Sequence, residues 1–470
     1  MIVSDTSVKQ GNIIAEAGYI QRREWVTYKV REDNYPYNTS IKFEVSSFSQ
    51  VIFQKAVDAL IERHEILRTT LQVIDGTLKQ VIHPSKHFSI PYTLTDVCSF
   101  EEKERDDFVT KKVSLSTRTP FNLELGPLFR VEVFKKRTDL YNIYFIIHHL
   151  IFDLHSFQVF KKDLAQFWKM FTNDFFEPVT SNVIQYKEYA AFENELLENK
   201  NNAHRLYWEE KLADGLPRLL VIDEKKWELH REKYIALANE VKTKMDQLPF
   251  SDDRVIAGVL RKYKANAAGY LSFNYTNDLT KSIQKYKEQG RNGILSLLIA
   301  GIAITFNKLS GQRTFAFDVP ASSRANIKYK DTIGWLTTSG PCFITLREDQ
   351  NIPALLDEID EQLYFLSRHS VYPFEAIGSR FDPPVGGDMP VFLTLVTKDQ
   401  DLGPVQEGMV YHKHRGTTTY QNLAIFIDLY NDAMTLNLAY DNFLFDPSLI
   451  ETITNDHAQM LSAIVHEILA

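Results

Sequence analysis

Two adjacent histidines, His148 and His149, close an apolar, aromatic-rich run from Ile143 to Ile147, and Asp153 follows four residues after the second of them. Imidazole is the side chain best matched to moving protons near neutral pH. An aspartate at this spacing can hold the imidazole or the loop that carries it. The apolar run reads as a buried strand and the amphipathic run from His155 to about Phe171 as a helix. Strand, short turn and helix place the titratable pair at the end of a sheet, where side chains can face a cleft. The same residues also fit a core histidine pair beside a turn aspartate. As metal ligands they lack a third or fourth donor at a recognisable spacing, so no metal is expected.

The bulk numbers narrow the classes. A chain of 470 residues should hold two domains or lobes. With 44% hydrophobic and 24% charged residues it has the make-up of an ordinary globular protein. A net charge of -8 and the lack of a basic tract argue against nucleic acid as a partner. Cys98 and Cys342, far apart in sequence, suggest neither a disulfide framework nor a zinc site and fit a reducing cytoplasm. Met1 to Lys9 has no signal-peptide pattern. The most apolar segment, Ile294 to Phe306, is too short to span a bilayer and reads as a buried helix, so no membrane partner is expected. A Gly-rich phosphate loop is missing.

Periodicity supplies the framework. Residues 1–17 read as an arm or linker. Ile41 to Val45 alternates as a strand, and Ser47 or Ser49 is placed to cap a helix carrying Ile52, Phe53, Ala56, Val57 and Leu60. A hairpin is predicted to turn at Asp75-Gly76. Residues 101–117 read as a helix, and a strand leads to Phe134. Phe175 to Ile184 reads as the link between halves, giving 18–178 and 179–470 as the two lobes. Two helices follow over about Gln185 to Leu212, whereas Lys225 to Lys264 reads as charged and irregular. Further strands are predicted at 269–275, 314–319, 389–396, 423–430 and 434–440, the last two turning at Asn431-Asp432. Helices are predicted at 295–309, 353–366 and 446–469, the first of them stopped by Gly311. Strands and helices mix without regular alternation, which predicts an α+β fold with mixed sheets.

His148-His-Leu-Ile-Phe-Asp153 resembles the HHxxxDG motif of condensation domains from nonribosomal peptide synthetases. Other segments follow in the family's order. Gln21-Arg-Arg-Glu-Trp25 resembles QxxxW, Arg63-His-Glu-Ile-Leu-Arg-Thr69 resembles RHExLRT, and Pro120 to Arg130 resembles PFDLxxGPLxR. Tyr207 to Ala213 resembles YWxxxLA; Val319 to Arg324, Ile333-Gly334, Tyr372 to Phe374 and Asn442 to Phe445 fall where the family has later motifs. The resemblance covers about Gly18 to the end.

The resemblance implies two chloramphenicol-acetyltransferase-like lobes in a V-shaped pseudo-dimer, with an active-site tunnel between them. It implies an acyltransferase that joins a carrier-bound acyl or peptidyl thioester to an amine, less often a hydroxyl. The domain itself would bind no cofactor and would be monomeric; donor and acceptor carrier proteins would deliver substrates on phosphopantetheine arms. His149 would be base or positioning group, with His148 beside it in a packing role and Asp153 paired to an arginine, for which Arg68 is the candidate.

Three departures bear on specificity. Leu154 replaces the motif glycine and, with Ser156 and Thr338, is a candidate for shaping the substrate tunnel. Ile333-Gly-Trp-Leu-Thr-Thr338 is similar to the VGWFT loop of epimerization domains, the sister group. Epimerization would need a second acid/base, for which Glu228 or Glu232 is the nominee, although the EGHGRE pattern of that group is missing. Gly18 replaces a serine. Epimerization of a carrier-bound residue and non-catalytic docking of carriers are therefore the competing readings.

Overall fold

The computed structural model describes residues 11–31, 37–46, 48–173, 183–263, 266–290, 292–385, 389, 391–397, 418–419, 421–429 and 433–470. The chain begins with β1 (Ile13–Glu16), α1 (Tyr19–Val30), β2 (Asn38–Ser46), α2 (Gln50–Arg63), β3 (Thr69–Ile74) and β4 (Thr77–Ile82). Next come β5 (Tyr92–Asp96), α3 (Glu102–Arg118), β6 (Phe129–Arg137), β7 (Leu140–His148) and α4 (Leu154–Asn173). Helices α5 (Tyr186–Glu198), α6 (Ala203–Lys211), α7 (Glu224–Met245) and α8 (Ile256–Tyr263) lead to β8 (Asn266–Asn274). Then follow α9 (Asn277–Gln289), α10 (Ile294–Ser310), β9 (Thr314–Ser322), β10 (Thr337–Thr345), α11 (Ile352–His369) and α12 (Phe374–Gly378). The last elements are β11 (Val391–Thr397), β12 (Thr418–Thr419), β13 (Leu423–Leu429), β14 (Met434–Asp441) and α13 (Pro447–Leu469).

Among the described residues three sheets result, ordered β1-β4-β3, β2-β7-β6-β5 and β10-β9-β11-β13-β14-β8-β12. The second is antiparallel except for β5 with β6, and the third pairs β11 in parallel with both β9 and β13. The fold is therefore α+β with mixed sheets, as the sequence pattern predicts.

β7 is the inner strand between β2 and β6, which explains its unbroken apolar run. Phe145 at its centre packs edge-on to Phe160 of α4, ring centroids 5.0 Å apart, and against Phe53 of α2 at 6.0 Å. Each such fully buried aromatic contributes roughly 1.5–3 kcal/mol of hydrophobic stabilisation. This packing fixes the axis of α4 against the sheet, and with it the turn that carries His149 and Asp153. Ser49 caps α2 by accepting from the Ile52 N–H, and Asp75-Gly76 turns the β3–β4 hairpin with both residues at positive φ.

Two expectations fail. Ile13–Glu16, within the stretch read as an arm, pairs with β4 as strand β1. Lys225 to Lys264, read as irregular, forms α7 and α8. Tyr234, Ala238, Val241 and Met245 are buried along α7 at helical spacing, a narrow stripe among many charges. The lobe boundary at 178/179 and the Asn431-Asp432 turn lie outside the described residues.

Candidate active site

The end of β7 and a loop before β10 meet at a cavity of about 390 Å³. Tyr37, His149 and Leu154 line it from the first half of the chain; Lys262, Trp335 and Thr338 line it from the second. The His149 ring stacks on Tyr37, centroids 4.8 Å apart, and lies 4.1 Å from the Trp335 ring. The His149 N–H donates to the Tyr37 carbonyl at 2.7 Å, so backbone and side chains of the two residues lock together. His149 Nδ1 is buried without a hydrogen-bond partner among the described residues. Burial pushes the imidazole down to about 4, the Lys262 ammonium adds to this, and the Asp153 carboxylate acts against it. At neutral pH the ring is uncharged and able to accept a proton.

His148 is a packing residue in its geometry. Its Nδ1 accepts the Leu150 N–H at 3.1 Å, capping the turn after β7, and burial pushes its imidazole down to about 3. As an acceptor at Nδ1, the neutral ring carries its proton on Nε2.

Asp153 anchors the turn to the second half of the chain. One oxygen accepts the Ser156 N–H and hydroxyl, both at 2.8 Å. The other accepts Arg324 at 2.6 Å, the Leu336 and Thr337 N–H groups at 3.0 and 3.1 Å, and the Thr337 hydroxyl at 2.9 Å. Burial alone would raise this carboxyl; the Arg324 guanidinium and the hydrogen bonds outweigh it and hold it below the usual carboxylate range.

The arginine partner of Asp153 is thus Arg324, and the expectation of Arg68 is corrected. Arg68 points elsewhere, donating to the Ile61 carbonyl at 3.1 Å and to the His83 carbonyl. Those acceptors sit seven and fifteen residues away, beside the 3-10 turn that carries Arg68, so short-range geometry captures it first. Ser156 is corrected too. It is fully buried, its hydroxyl donating to Asp153 and accepting the Gly334 N–H at 3.0 Å, and it does not line the cavity. Leu154 and Thr338 do line it, Leu154 with half its surface exposed. Thr338 also donates to the Ser370 carbonyl at 3.1 Å. Glu228 and Glu232 lie on the exposed side of α7 and do not line the cavity.

Beneath the aromatic pair lies a charge network. Arg23 contacts Glu24 at 3.0 Å and Glu375 at 2.8 Å; Arg261 contacts Glu375 at 3.3 Å and pairs with Asp318; Lys262 meets Glu24 at 2.6 Å. It links α1 of the first half to α8, α12 and β9. Burial works to raise Glu24, but Lys262 and Arg23 hold it down to about 2. Burial pushes Lys262 down to about 7; Glu24 works against this and the neighbouring Arg23 adds to it.

Sequence reasoning missed Tyr37, Lys262, Trp335 and Arg324 as site residues. Trp335 and Arg324 stood inside segments already singled out, whereas nothing local marked Lys262. Two glycines become intelligible. A Cβ at Gly334, whose φ is 153°, would lie 2.0 Å from the Tyr186 ring, so the loop bearing Trp335 demands glycine. A Cβ at Gly18 would stand 2.7 Å from Glu193 Oε2, which accepts the Tyr19 N–H at 2.5 Å.

Among the described residues no group of three or more His, Cys, Asp or Glu side chains is placed to hold a metal ion, and no helix is long and apolar enough to cross a membrane. A family model described as condensation domain matches residues 14–469. A protein of the linear gramicidin synthase of Brevibacillus parabrevis is 22% identical over 95% of this chain, which spans 8% of that protein's length. Among solved structures, the epimerization domain from the third module of tyrocidine synthetase B aligns with a TM-score of 0.71 at 16% identity, over 98% of this chain and 99% of that one. The condensation domain of monacolin K polyketide synthase aligns at 0.70 with 13% identity, over 97% of this chain and 98% of that one.

Proposed function

The chain belongs to the condensation-domain family, and from that premise we propose that it is an acyltransferase joining a thioester-bound acyl or peptidyl donor to an amine. The donor and acceptor arrive on the phosphopantetheine arms of carrier proteins. The acceptor nitrogen attacks the thioester carbonyl carbon, the N–C bond forms and the C–S bond breaks. The nitrogen, positive once attack begins, passes its proton to the His149 imidazole. A weak base suffices there, because a nitrogen bonded to the tetrahedral carbon is far more acidic than a free ammonium. Much of the remaining acceleration comes from holding two tethered reactants together.

The observation that carries this reading is the neutral His149 ring packed against both Tyr37 and Trp335, whose own rings lie 5.3 Å apart, on the wall of a cavity to which both halves contribute. Against epimerization, neither Glu228 nor Glu232 reaches that wall, and the glutamates that do, Glu24 and Glu375, are tied up in ion pairs with Lys262, Arg23 and Arg261. An intact-mass assay with loaded carrier proteins tests the proposal. Condensation predicts an acceptor carrier heavier by the donor acyl group. Uptake of one solvent deuterium with no acyl group transferred would mean epimerization, and an unchanged pair of carriers would mean a docking module.

A further inference from the structure

Lys262 faces the same cavity as His149, against the same two rings. Its Nζ lies 3.9 Å from the Tyr37 ring centroid and 4.1 Å from that of Trp335. It stands apart from the other cations of the buried network. Arg23 and Arg261 each hold two carboxylates, and arginine does not release a proton in proteins. Among the described residues Lys262 holds one carboxylate, Glu24, already engaged by Arg23. It is therefore the cation of this network that can change charge state, and lysine does so readily when buried. The charged and titratable groups around it are Glu24, Arg23 and Arg31, Glu375 of α12, its neighbour Arg261, Tyr37, His148 and His149.

We propose that Lys262 is the second proton-handling group of the cavity, donating a proton to the sulfur of the departing thiolate while His149 accepts one from the attacking amine. The inference rests on the amide-forming reading above. The balance closes: one proton leaves nitrogen for His149, one leaves the Lys262 ammonium for sulfur, and water returns the first from imidazolium to the Lys262 amine. Cationic Lys262 also disfavours protonation of His149, so the two groups reset one another after each turnover. A donor titrating near the working pH is the most effective kind.

The test varies the leaving group. The acyl group with the highest turnover in the carrier assay is offered as an S-(N-acetylcysteaminyl) thioester, whose thiolate is basic, and as an S-phenyl thioester, whose thiolate needs no proton. Lys262→Met and Lys262→Arg should each lose about 10²-fold in kcat/KM on the first substrate and less than about 10-fold on the second. His149→Ala should lose on both alike. Equal losses of the Lys262 variants on both thioesters, or a Lys262→Arg variant matching wild type on the first, would overturn the proposal, leaving Lys262 a structural charge. Acetylation of the full chain by acetic anhydride, read by peptide mass spectrometry from pH 6 to 10, gives a second readout. Labelling of Lys262 should rise through about pH 7 rather than near the ordinary lysine value of about 10.4. A rise only above about pH 9, or no label at any pH, overturns it. If wild-type protein makes no amide from any donor, the proposed function falls and this inference with it. An active wild type with leaving-group-insensitive Lys262 variants removes this inference alone.

Discussion

His149 and Asp153 share one turn, yet their surroundings are opposite in kind. Around His149 the contacts are ring faces, Nδ1 has no partner among the described residues, and the side chain borders a cavity. Around Asp153 the contacts are polar bonds, six in number among the described residues, to Arg324, Ser156, Leu336 and Thr337. A ring packed by faces keeps a nitrogen free to exchange protons. A carboxylate saturated by donors is held charged and has nothing left to offer a substrate. The six-residue motif therefore combines one residue suited to chemistry with one suited to holding, and the division should show in which property each substitution damages.

The largest effect is expected at His149. His149→Ala should lower amide formation about 10²–10⁴-fold, the range for losing a positioned proton acceptor, with melting temperature nearly unchanged. Turnover and thermal unfolding measured on one preparation check this. Near-wild-type turnover would erase the contrast with Asp153.

The holding side comes next. Arg324→Met leaves Asp153 charged and buried, and should destabilise the fold by about 3–5 kcal/mol in urea unfolding. Asp153→Asn should behave alike, and the double variant should recover part of the loss. Arg68→Met combined with Asp153→Asn should instead be additive, since Arg68 bonds the Ile61 and His83 carbonyls. Strong coupling to Arg68 and none to Arg324 would reverse the assignment.

Protonation sharpens the same contrast. The His149 imidazole is pushed down to about 4 in the folded protein, against about 6.5 unfolded. Between those values the unfolded chain binds more protons, so this group's contribution is intact above about pH 6.5 and is lost as pH falls through about 4. His149→Ala should therefore flatten the acid limb of stability by up to ~1.4 kcal/mol per pH unit in that window. Denaturant midpoints at pH 7.5, 5.5 and 4.5 decide it; an unchanged slope would mean that His149 titrates freely.

Legibility in the sequence followed the range of the interactions. The strand ending at His148, the Asp75-Gly76 turn and the cap at Gly311 depend on near neighbours, and local pattern exposed them. The stripe on α7 was periodic but narrow, and its charged surroundings read as irregular. Asp153 bonds Arg324 across 171 positions, a distance at which spacing carries no information, and the family resemblance points instead to Arg68 in another motif. Lys262 was hidden for a related reason: its meaning comes from Tyr37, Trp335 and Glu24, each on a different element.

Leu154 lies between the two regions, next to Asp153 in sequence and on the cavity wall in space, and the smallest effect is expected there. At the first position of α4, with half its surface exposed, it contributes little to the core. Leu154→Gly should cost less than about 1 kcal/mol, near the ordinary penalty of glycine in a helix. A fully buried leucine would lose about 2–5 kcal/mol on truncation. The change removes bulk from the wall that His149 shares, so acceptors with larger side chains should gain relative to the preferred one. The gain should stay within about tenfold, the low end of what one apolar contact discriminates. Melting temperature and a panel of acceptor amines on the same variant decide the matter. A drop of several kcal/mol with an unchanged acceptor profile would move Leu154 to the holding side of the turn, with Asp153; a shifted profile at constant stability would leave it on the cavity side, with His149.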